Sequence, residues 1–413
     1  MSDLDQRVRA IFDAGVAAAD PAHAVTQAMG WVREDGAGTG GRWQVIALGK
    51  AALAMAGAAL ADLPGDTAAL IVTNPENAEG ANLPEGARLA VGDHPVPGEG
   101  SEAAGRAILQ TLVDLGPQDR VLALISGGGS ALAVAPTEGL SLSDKAEVSR
   151  LLLGCGADIM QMNLIRQQLS NLKGGGWLAA SAAPVTGLIL SDVPGDDLAV
   201  IASGPTVAPI GTRAQARDLC RDLGIFEALP ATVQAHLTQP DTPRDLPKSR
   251  NRLVGANAIS VAAMLDAEAQ EAPFALSGDV AELAPQIVTL LADLAPGQVL
   301  AFGGETTVTL RGDGLGGRNQ ELALRVALLA EQAGLSGSWR FLSGGTDGRD
   351  GPCDAAGGLV GPQTCQAIRE AGENPSALLE NNDSYRALRA GGALLITGAT
   401  GTNVADLAVL ARG

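Results

Sequence analysis

Short runs of aliphatic and β-branched residues alternate along the chain with longer segments rich in alanine and leucine. After a helix-like start, the clearest predicted strands of the first half are 43–48, 68–72, 121–125 and 185–190. A second alternating region follows, with strands predicted at 252–254, 299–302, 306–310, 339–342 and 393–396. Strands that alternate with helices in this way indicate parallel βαβ units.

The alternation is lost between residues 211 and 251, where 239–247 is rich in proline and aspartate and is typical of a surface connector. We therefore predict an α/β protein of two domains, 1–240 and 250–413. Ligands of parallel sheets gather beyond the carboxyl ends of the strands, and most polar motifs stand at such ends. The active site is accordingly predicted in a cleft between the domains, where closure excludes water.

Two glycine-rich turns carry the main chemical signal. The strand 121–125 runs straight into Ser126, Gly127, Gly128, Gly129 and Ser130, and bare backbone N–H groups at a strand end suit an anion such as phosphate. The pattern recurs at 343–348, where the Asp347 carboxylate is a candidate metal ligand. The two turns together predict a phosphate group and its cation.

Composition and charge narrow the class of ligand. The 413 residues carry a formal net charge of −18 without any lysine- or arginine-rich run, which disfavours nucleic acids and anionic membranes. Aromatic residues make up only 2%, too few for the stacking platforms of a single-strand binder. A small anionic substrate, held by a local cluster of basic side chains, remains compatible with this charge.

The four cysteines are scattered without a C-x-x-C pair, so neither a zinc site nor a disulfide framework is indicated. The acidic start and the lack of an apolar run of about 18 residues predict neither a leader nor a membrane span. Together with the cysteine usage, this predicts a cytoplasmic protein.

Lys50 follows the first predicted strand and precedes an alanine-rich helix. A cation is unfavourable at a helix start unless an anion joins it, so Lys50 is a candidate phosphate-binding lysine. A solvated lysine explains the pattern equally well. It is not a Walker A lysine, because that motif requires glycine where Gln44 stands.

A set of polar residues precedes the glycines at 174–176. Asn163, Arg166, Ser170 and Lys173 are spaced by three, four and three residues, which predicts one polar face on a helix that ends at those glycines. Two basic groups just before a glycine run favour carboxylate or phosphate binding. The alternative is an ordinary solvated stripe.

Two carboxylates and one histidine stand in loops. Asp192 directly follows the strand 185–190, where it suits proton acceptance from a hydroxyl or Mg²⁺ binding, with an Asx turn as the alternative. Glu305 is either a metal or supporting carboxylate or half of a structural ion pair. His94 is one of only three histidines, too few for a histidine metal site or a catalytic triad, and we interpret it as a structural loop residue.

The segment 312–317 matches G-x-G-x-x-G and raises a dinucleotide interpretation. That interpretation fails at the next step, because Leu342 and Ser343 stand where the ribose-binding acid is expected. Arg318 with Asn319 is better interpreted as a charged clamp on a transferring phosphoryl group.

Taken together, these motifs resemble the glycerate 2-kinase family. The resemblance covers nearly the whole chain and rests on the order and completeness of the segments 47–51, 94–97, 126–132, 163–175, 191–193, 203–206, 316–319, 345–348, 382–385 and 398–406. It implies a Rossmann-like, three-layer N-terminal domain with a mainly parallel sheet, and a leucine-rich C-terminal α/β domain with a mixed sheet.

The resemblance also implies ATP-dependent phosphorylation of D-glycerate at its 2-hydroxyl, with Mg²⁺, to give 2-phosphoglycerate. Lys50 matches the family's catalytic lysine, and Arg318 and Asp192 match an arginine and an aspartate of its active site. The chain departs from the family at Gly98, where aspartate is common, and at Asp93, where glycine is frequent. This departure puts the role of that loop in doubt, but not the reaction.

These inferences define the expected sites. Substrate is expected at Ser126, Gly127, Gly128, Gly129, Ser130, Asn163, Arg166 and Lys173. The nucleotide is expected at Glu305, Gly344, Gly345, Thr346, Asp347, Asn382, Thr402 and Asn403, and Mg²⁺ at Asp192 and Asp347. The expected partners are glycerate and ATP, without nucleic acid or membrane, and a homo-oligomer is compatible with the sequence. An NAD(P)H-dependent hydroxypyruvate reductase, the older label of this family, is the alternative function, and a non-catalytic nucleotide or sugar-acid sensor comes third.

Overall fold

The structure is a computed structural model that describes residues 2–34, 36, 40–193, 195–241 and 246–413. It divides into two compact units. One unit, Pro21–Val254, is called the parallel unit below, and the other, Met1–Asp20 with Gly255–Gly413, is called the mixed unit. The first helix, α1 (Asp3–Ala18), therefore belongs with the second half of the chain. Part of the predicted connector, 242–245, lies outside the described residues.

The parallel unit alternates helices and strands as the sequence predicts. Its helices are α2 (Pro21–Arg33), α3 (Ala52–Asp62), α4 (Pro75–Ala78), α5 (Glu99–Val113), α6 (Gly129–Leu132), α7 (Leu142–Gly154), α8 (Ile159–Gln168), α9 (Gly176–Ala180), α10 (Arg213–Asp222) and α11 (Ala231–Thr238), with 3-10 turns at Ile201–Ser203 and Phe226–Ala228. Its strands are β1 (Trp43–Leu48), β2 (Ala68–Thr73), β3 (Ala87–Val91), β4 (Arg120–Ile125), β5 (Val185–Leu190) and β6 (Arg250–Gly255).

The sheet of the parallel unit has the order β3-β2-β1-β4-β5-β6. Neighbouring strands from β3 to β5 pair in parallel. The predicted Rossmann-like sheet is thereby confirmed. The chain moves outward in opposite directions from β1 and from β4, so the order reverses between these two strands. Such a reversal leaves a crevice at the carboxyl ends of the strands, which is where ligands of this fold bind.

Both faces of this sheet are covered. All six residues of β1 are buried. Ile46 and Leu48 pack into one cluster with Ile108 and Leu112 of α5, whereas α3 packs against β1 and β2. A strand that is buried on both faces reads as a continuous apolar run, which is why β1 was predictable from sequence.

The mixed unit surrounds a second sheet. After α1 its helices are α12 (Asn257–Asp266), α13 (Val280–Asp293), α14 (Arg318–Gln332), α15 (Thr364–Glu370), α16 (Pro375–Glu380) and α17 (Ser384–Ala390). Its strands are β7 (Gln270–Glu271), β8 (Leu276–Asp279), β9 (Val299–Thr307), β10 (Trp339–Gly345), β11 (Gly357–Val360), β12 (Leu394–Leu395) and β13 (Asp406–Arg412).

The sheet order of the mixed unit is β12-β11-β10-β13-β9-β7, and β8 also pairs with β9. The pairs from β12 to β9 are antiparallel, whereas β7 and β8 run parallel to β9, which confirms the predicted mixed sheet. The α1 residues Val8, Ile11 and Phe12 pack on one face of this sheet with Leu407 and Val409. No helix among the described residues is both long and apolar enough to span a membrane.

Three local predictions are wrong. The strands predicted at 299–302 and 306–310 are one strand, β9, which ends at Thr307. The strand predicted at 339–342 continues to Gly345, because the glycines pair with β13. The helix predicted to run to 174–176 ends at Gln168, and Ser170 forms a β-bridge with Pro136 instead.

Candidate active site

Lys50 lies where β1 ends beside β4. Its backbone N–H donates to Gly127 O at 3.0 Å, and Ser126 N–H donates to Leu48 O at 2.9 Å. The buried Ser126 hydroxyl accepts a hydrogen bond from Ala51 N–H at 3.1 Å, at the start of α3. These bonds tie the start of α3 to the Ser126–Ser130 turn, while the Lys50 side chain remains exposed.

Close approach explains the glycines of the Ser126–Ser130 turn. A Cβ atom at Gly127 would overlap the Asp192 carboxylate, so only glycine lets the turn pass this side chain. Gly128 has φ +85°, and its missing Cβ would lie 3.4 Å from Lys50 Cγ and 3.3 Å from His94 Cδ2. The turn is therefore surrounded by Lys50, Asp192 and His94.

Four successive N–H groups in this turn have no acceptor within the described part of the chain. The backbone amides of Gly127, Gly128, Gly129 and Ser130 donate no hydrogen bond to any residue that the structure describes. Gly127 and Gly129 are buried, and unpaired buried N–H groups are rare because they cost free energy. An anion placed in the turn would satisfy these donors.

Burial and mutual charge set the electrostatics of this cluster. Burial raises the pKa of Asp192 above its ordinary value, although its own backbone amide, Lys50 and His94 partly oppose this effect. Burial and the Lys50 charge lower the pKa of His94, whereas the charges of Glu76 and Asp192 act to raise it. His94 was predicted to be only a structural loop residue. Its position in the 94–97 motif of the family resemblance was the one feature of the sequence that pointed to the site.

The structure gives a physical account of Asp93 and Gly98, where the chain departs from the family resemblance. Gly98 is the N-cap residue of α5 and has no side chain to accept a hydrogen bond. The Asp93 carboxylate accepts one instead, from Ser101 N–H at 3.3 Å in the first turn of the helix. A Cβ at Gly98 would lie only 2.6 Å from Asp93 Oδ2. Asp93 therefore provides the cap that aspartate at position 98 would provide.

A second polar cluster links the turn to the predicted basic residues. The Lys173 ammonium, on a side chain only 5% exposed, donates to Ser130 O at 3.3 Å and to Ser203 Oγ at 3.1 Å. Ser203 donates to Asn163 Oδ1 at 2.8 Å, and its oxygen lies 2.9 Å from Ser130 Oγ. Ser203 has φ +62°, an uncommon conformation for serine. Ser203 belongs to the 203–206 motif of the family resemblance, but no role was predicted for it.

Arg166 and Lys173 line one cavity of about 460 Å³ together with Ser130 and Lys145. Burial lowers the pKa of Lys145 to about 8, helped by the Arg166 charge. Burial also lowers the pKa of Arg166. The pKa of Lys173 is held well below its ordinary value, first by burial and then by the nearby charges of Lys145 and Arg166. Lys145 is a third residue, after His94 and Ser203, without a predicted functional role, because no motif contains it.

In the mixed unit, Arg318 begins α14 and is held by two carboxylates. Its Nε and Nη2 donate to Asp406 at 2.6 and 3.0 Å, and its Nη1 lies 2.9 Å from Glu305 Oε1. Burial alone would lower the pKa of Arg318. The hydrogen bonds and charge of Asp406 and the charge of Glu305 outweigh burial, so the pKa of Arg318 is raised. Glu305 is therefore part of an ion pair, which was one of its two predicted roles.

Three of the residues predicted to bind nucleotide have their polar atoms satisfied inside the mixed unit. Thr346 Oγ1 donates to Ala405 O at 2.7 Å, and Thr402 Oγ1 donates to Ala19 O at 2.6 Å. Asn382 Oδ1 accepts from Arg311 N–H at 2.6 Å, and its amide donates to Glu321. These three side chains are buried and fix the loops around them.

The other predicted nucleotide residues differ in exposure. Gly344 and Gly345 are buried in β10. Asp347 and Asn403 are partly exposed, and each accepts a hydrogen bond from a backbone N–H two residues ahead, as in Asx turns. Among the described residues, no three His, Cys, Asp or Glu side chains lie close enough to share a metal ion. The assignment of Asp192 and Asp347 to Mg²⁺ therefore stays a prediction, and neither carboxylate belongs to a cluster of three possible ligands within the described part of the chain.

Comparison with known proteins decides the family. The DUF4147 domain model matches residues 7–238, and the MOFRL family model matches residues 298–406. The D-glycerate 2-kinase of Thermotoga maritima is 38% identical over 88% of this chain and 89% of its own. The chain belongs to the glycerate 2-kinase family. The crystal structure of a glycerate kinase from Thermotoga maritima has a TM-score of 0.91 and 35% identity, and the match covers 99% of each chain.

Two relatives, both from Agrobacterium vitis, carry a different name. A putative hydroxypyruvate reductase of Agrobacterium vitis is 40% identical over 99% of this chain and 94% of its own. A reductase needs a dinucleotide site, and in a Rossmann fold its glycine fingerprint stands in the first βα turn. In this chain, that turn has Lys50 after Gly49 and no G-x-G-x-x-G sequence.

The G-x-G-x-x-G segment at 312–317 is also no dinucleotide site. A Cβ at Gly314 would meet Asn381 O, and a Cβ at Gly317 would meet the Asp350 side chain, so both glycines serve packing within the mixed unit. The Asp350 carboxylate accepts from Asn319 N–H at 3.0 Å and from Gln320 N–H at 2.8 Å. The helix start that would bind a pyrophosphate is thus already capped by Asp350.

Proposed function

We propose that this chain is a kinase that transfers the γ-phosphoryl group of ATP to the 2-hydroxyl of D-glycerate and forms 2-phosphoglycerate. Membership of the glycerate 2-kinase family supports the reaction class, and kinase relatives imply a nucleotide and a small-molecule acceptor. One observation carries the proposal for this chain. Four N–H groups at the Ser126–Ser130 turn, which have no partner among the described residues, lie beside a cation, Lys50, and a carboxylate, Asp192.

The substrate carboxylate is assigned to the basic side of this turn. Arg166 and the buried Lys173 supply positive charge there, and Asn163 and Ser130 belong to the same hydrogen-bonded cluster. Gly127, Gly128 and Gly129 add backbone donors. A three-carbon acid anchored by its carboxylate carries its 2-hydroxyl on the carbon next to that carboxylate, so fixing the carboxylate also orients the nucleophile.

Asp192 is assigned to the acceptor hydroxyl. Because burial raises its pKa, its carboxylate is a stronger base than an ordinary aspartate. As the 2-hydroxyl oxygen attacks phosphorus, its proton passes to the Asp192 carboxylate, and the bond to the leaving ADP oxygen breaks. Phosphoryl transfer needs mainly positioning and charge stabilisation, so a positioned carboxylate suffices for the acceptor.

The cations Lys50 and Arg318 are assigned to the phosphoryl group. Lys50 is exposed at the end of β1, where its ammonium can follow the moving charge. Arg318 has a planar fork whose orientation is fixed by Asp406, which suits phosphoryl oxygens.

ATP is assigned to the loops of the mixed unit. Glu305, Asp347 and Asn403 are at least partly exposed and are proposed to contact it, whereas Gly344, Gly345, Thr346, Asn382 and Thr402 shape the loops that receive it. Asp192 and Asp347 offer hard oxygen donors, and Mg²⁺ in kinases is commonly held by one or two carboxylates and the substrate phosphates. When bound, Mg²⁺ would neutralise phosphate charge.

A coupled assay tests the reaction class. Purified protein with D-glycerate and MgATP is expected to release ADP, and hydroxypyruvate with NADH or NADPH is expected to give no change in absorbance. Oxidation of the reduced nicotinamide without ADP release would instead support the reductase. Nucleotide binding without either turnover would identify a sensor and overturn the proposal.

A further inference from the structure

Three cations in the parallel unit share one cavity without a counter-charge. Lys145, Arg166 and Lys173 line the cavity of about 460 Å³, and none of them forms an ion pair with a described residue. The neighbouring charged groups are otherwise engaged, since Arg150 pairs with Glu147 at 2.6 Å, Asp144 accepts from Ser141 at 2.8 Å, and the His236 ring contacts Gln168 O at 2.9 Å. Lys173 is buried, and Lys145 and Arg166 are half-buried. Burying unpaired cations even in part is costly, so an anion is expected there.

The hydrogen-bond inventory indicates where that anion binds. An ammonium has three donors. Lys145 uses one, to Leu169 O at 3.2 Å, and Lys173 uses two. Arg166 donates no hydrogen bond to any described residue, and the buried Asn163 Nδ2, in the hydrogen-bonded cluster with Lys173 and Ser203, also lacks an acceptor. Unused donors of several side chains are therefore available beside the Ser126–Ser130 turn.

We infer that Lys145 completes, with Arg166 and Lys173, the pocket that binds the substrate carboxylate, and that Lys145 makes the enzyme selective for a hydroxy acid over the uncharged polyol. This inference rests on the proposed function. A neutral analogue such as glycerol leaves buried donors and charges unpaired, and a site built for a polar group discriminates strongly against a ligand that lacks it. Val148 and Leu169 form an apolar part of the wall, which weakens competition by water.

Binding of a carboxylate here is coupled to proton uptake. The pKa of Lys145 is about 8 in the free protein because the site is buried and Arg166 is close. A bound anion favours the charged lysine and raises that pKa. At pH 8 a large part of the protein molecules must therefore gain a proton when the carboxylate binds, whereas at pH 6 Lys145 is already charged.

The test uses the full chain and isothermal titration with D-glycerate in buffers of different ionisation enthalpy. Wild type is expected to take up protons at pH 8 but not at pH 6, and to bind glycerol at least about tenfold more weakly than D-glycerate. Lys145→Met is expected to lower the uptake, since the pKa of Lys173 in the same cavity is also depressed, and to raise KM for glycerate about tenfold or more, with KM for ATP within twofold. Lys145→Arg should recover most of the affinity, but with less proton uptake at pH 8 than wild type, because arginine remains charged.

The chain offers a matched control in Lys248, one of only four lysines and an exposed one. Lys248→Met should change neither affinity nor uptake. Equal uptake in Lys145→Met and wild type, a change of KM below twofold, or equal affinity for glycerol and glycerate would overturn the inference. If Lys145→Met does not fold, Lys145→Arg decides, because it should keep the affinity while its proton uptake at pH 8 falls below that of wild type. Proton-coupled glycerate binding without ADP release would refute the proposed function but keep the carboxylate pocket.

Discussion

Arg318 holds both carboxylate oxygens of Asp406, through Nε at 2.6 Å and Nη2 at 3.0 Å. Asp406 is fully buried, whereas the Arg318 side chain is 34% exposed. Asn319 adds a third bond to Asp406, at 2.9 Å from its side-chain amide. A bidentate pair of this kind fixes the plane of the guanidinium, so Asp406 is a positioning residue for Arg318.

Asp406→Asn is expected to lower kcat at least about tenfold, because asparagine cannot accept both N–H groups and the guanidinium loses its fixed plane. KM for glycerate should stay within about twofold, since the carboxylate pocket is formed by other residues. Steady-state kinetics measures this split. Asp13→Asn, which removes an exposed partner of Arg9, is the control and should behave as wild type. A rise in KM with unchanged kcat would contradict the positioning role.

Lys50→Met tests the phosphoryl cation. We expect kcat to fall about 100-fold or more, since a lost transition-state contact typically costs that much. The melting temperature should stay within about 1 °C, because the side chain is exposed. Lys248→Met is the matched lysine control. Turnover within about tenfold of wild type would show that the Lys50 assignment is wrong.

Asp192→Asn is expected to lower activity and raise stability together. The folded pKa of Asp192 is above its unfolded value, so the folded state binds more protons between the two values, and stability falls as pH rises through that window. Asparagine removes this penalty at pH 7.5, and the gain should shrink as pH falls toward the unfolded pKa. We expect kcat to fall at least about 100-fold, as for loss of a general base.

Melting temperatures at pH 7.5 and 5, with steady-state rates, test the Asp192 prediction. A protein destabilised at pH 7.5 with near-normal turnover would mean that Asp192 is a structural cap.

The exchange between Asp93 and Gly98 predicts a compensating pair. Asp93→Gly removes the carboxylate that caps α5 and should cost about 1 kcal/mol. Gly98→Asp alone should also destabilise, because its side chain would meet the Asp93 carboxylate. The double variant should recover most of the wild-type stability, since aspartate at the N-cap position serves the same helix start. Chemical denaturation of the four proteins measures the coupling, and additive losses would contradict it.

The buried strands of the parallel unit could be predicted because both faces are covered, which leaves continuous apolar runs such as 43–48. The strand β3 could not, since its residues are half-buried or exposed and it lies at the edge of the sheet. The strand β13 could not be predicted from the sequence for another reason. Its first residue, Asp406, ended a polar motif, and nothing in the sequence indicated that this carboxylate would be fully buried against Arg318.

The glycine turn at 126–130 and its neighbours Lys50 and Asp192 were predictable because each directly follows a strand of a parallel sheet, where strand ends converge. Lys145 was not, because it lies on α7 and comes to Lys173 only through packing. The spacing of Asn163 and Lys173 was read as helical, but the helix ends at Gln168 and Ser203 joins the two side chains. Long-range packing of this kind leaves no periodic signal.

The position of the transferred phosphoryl group tests the central claim most directly. Wild-type protein is incubated with D-glycerate and MgATP, and the product is given to enolase, which dehydrates 2-phosphoglycerate but not 3-phosphoglycerate. We predict formation of phosphoenolpyruvate in step with ADP, without addition of a phosphoglycerate mutase. ADP release with phosphoenolpyruvate only after a mutase is added would place the phosphoryl group on the 3-hydroxyl and contradict the proposed geometry at Asp192.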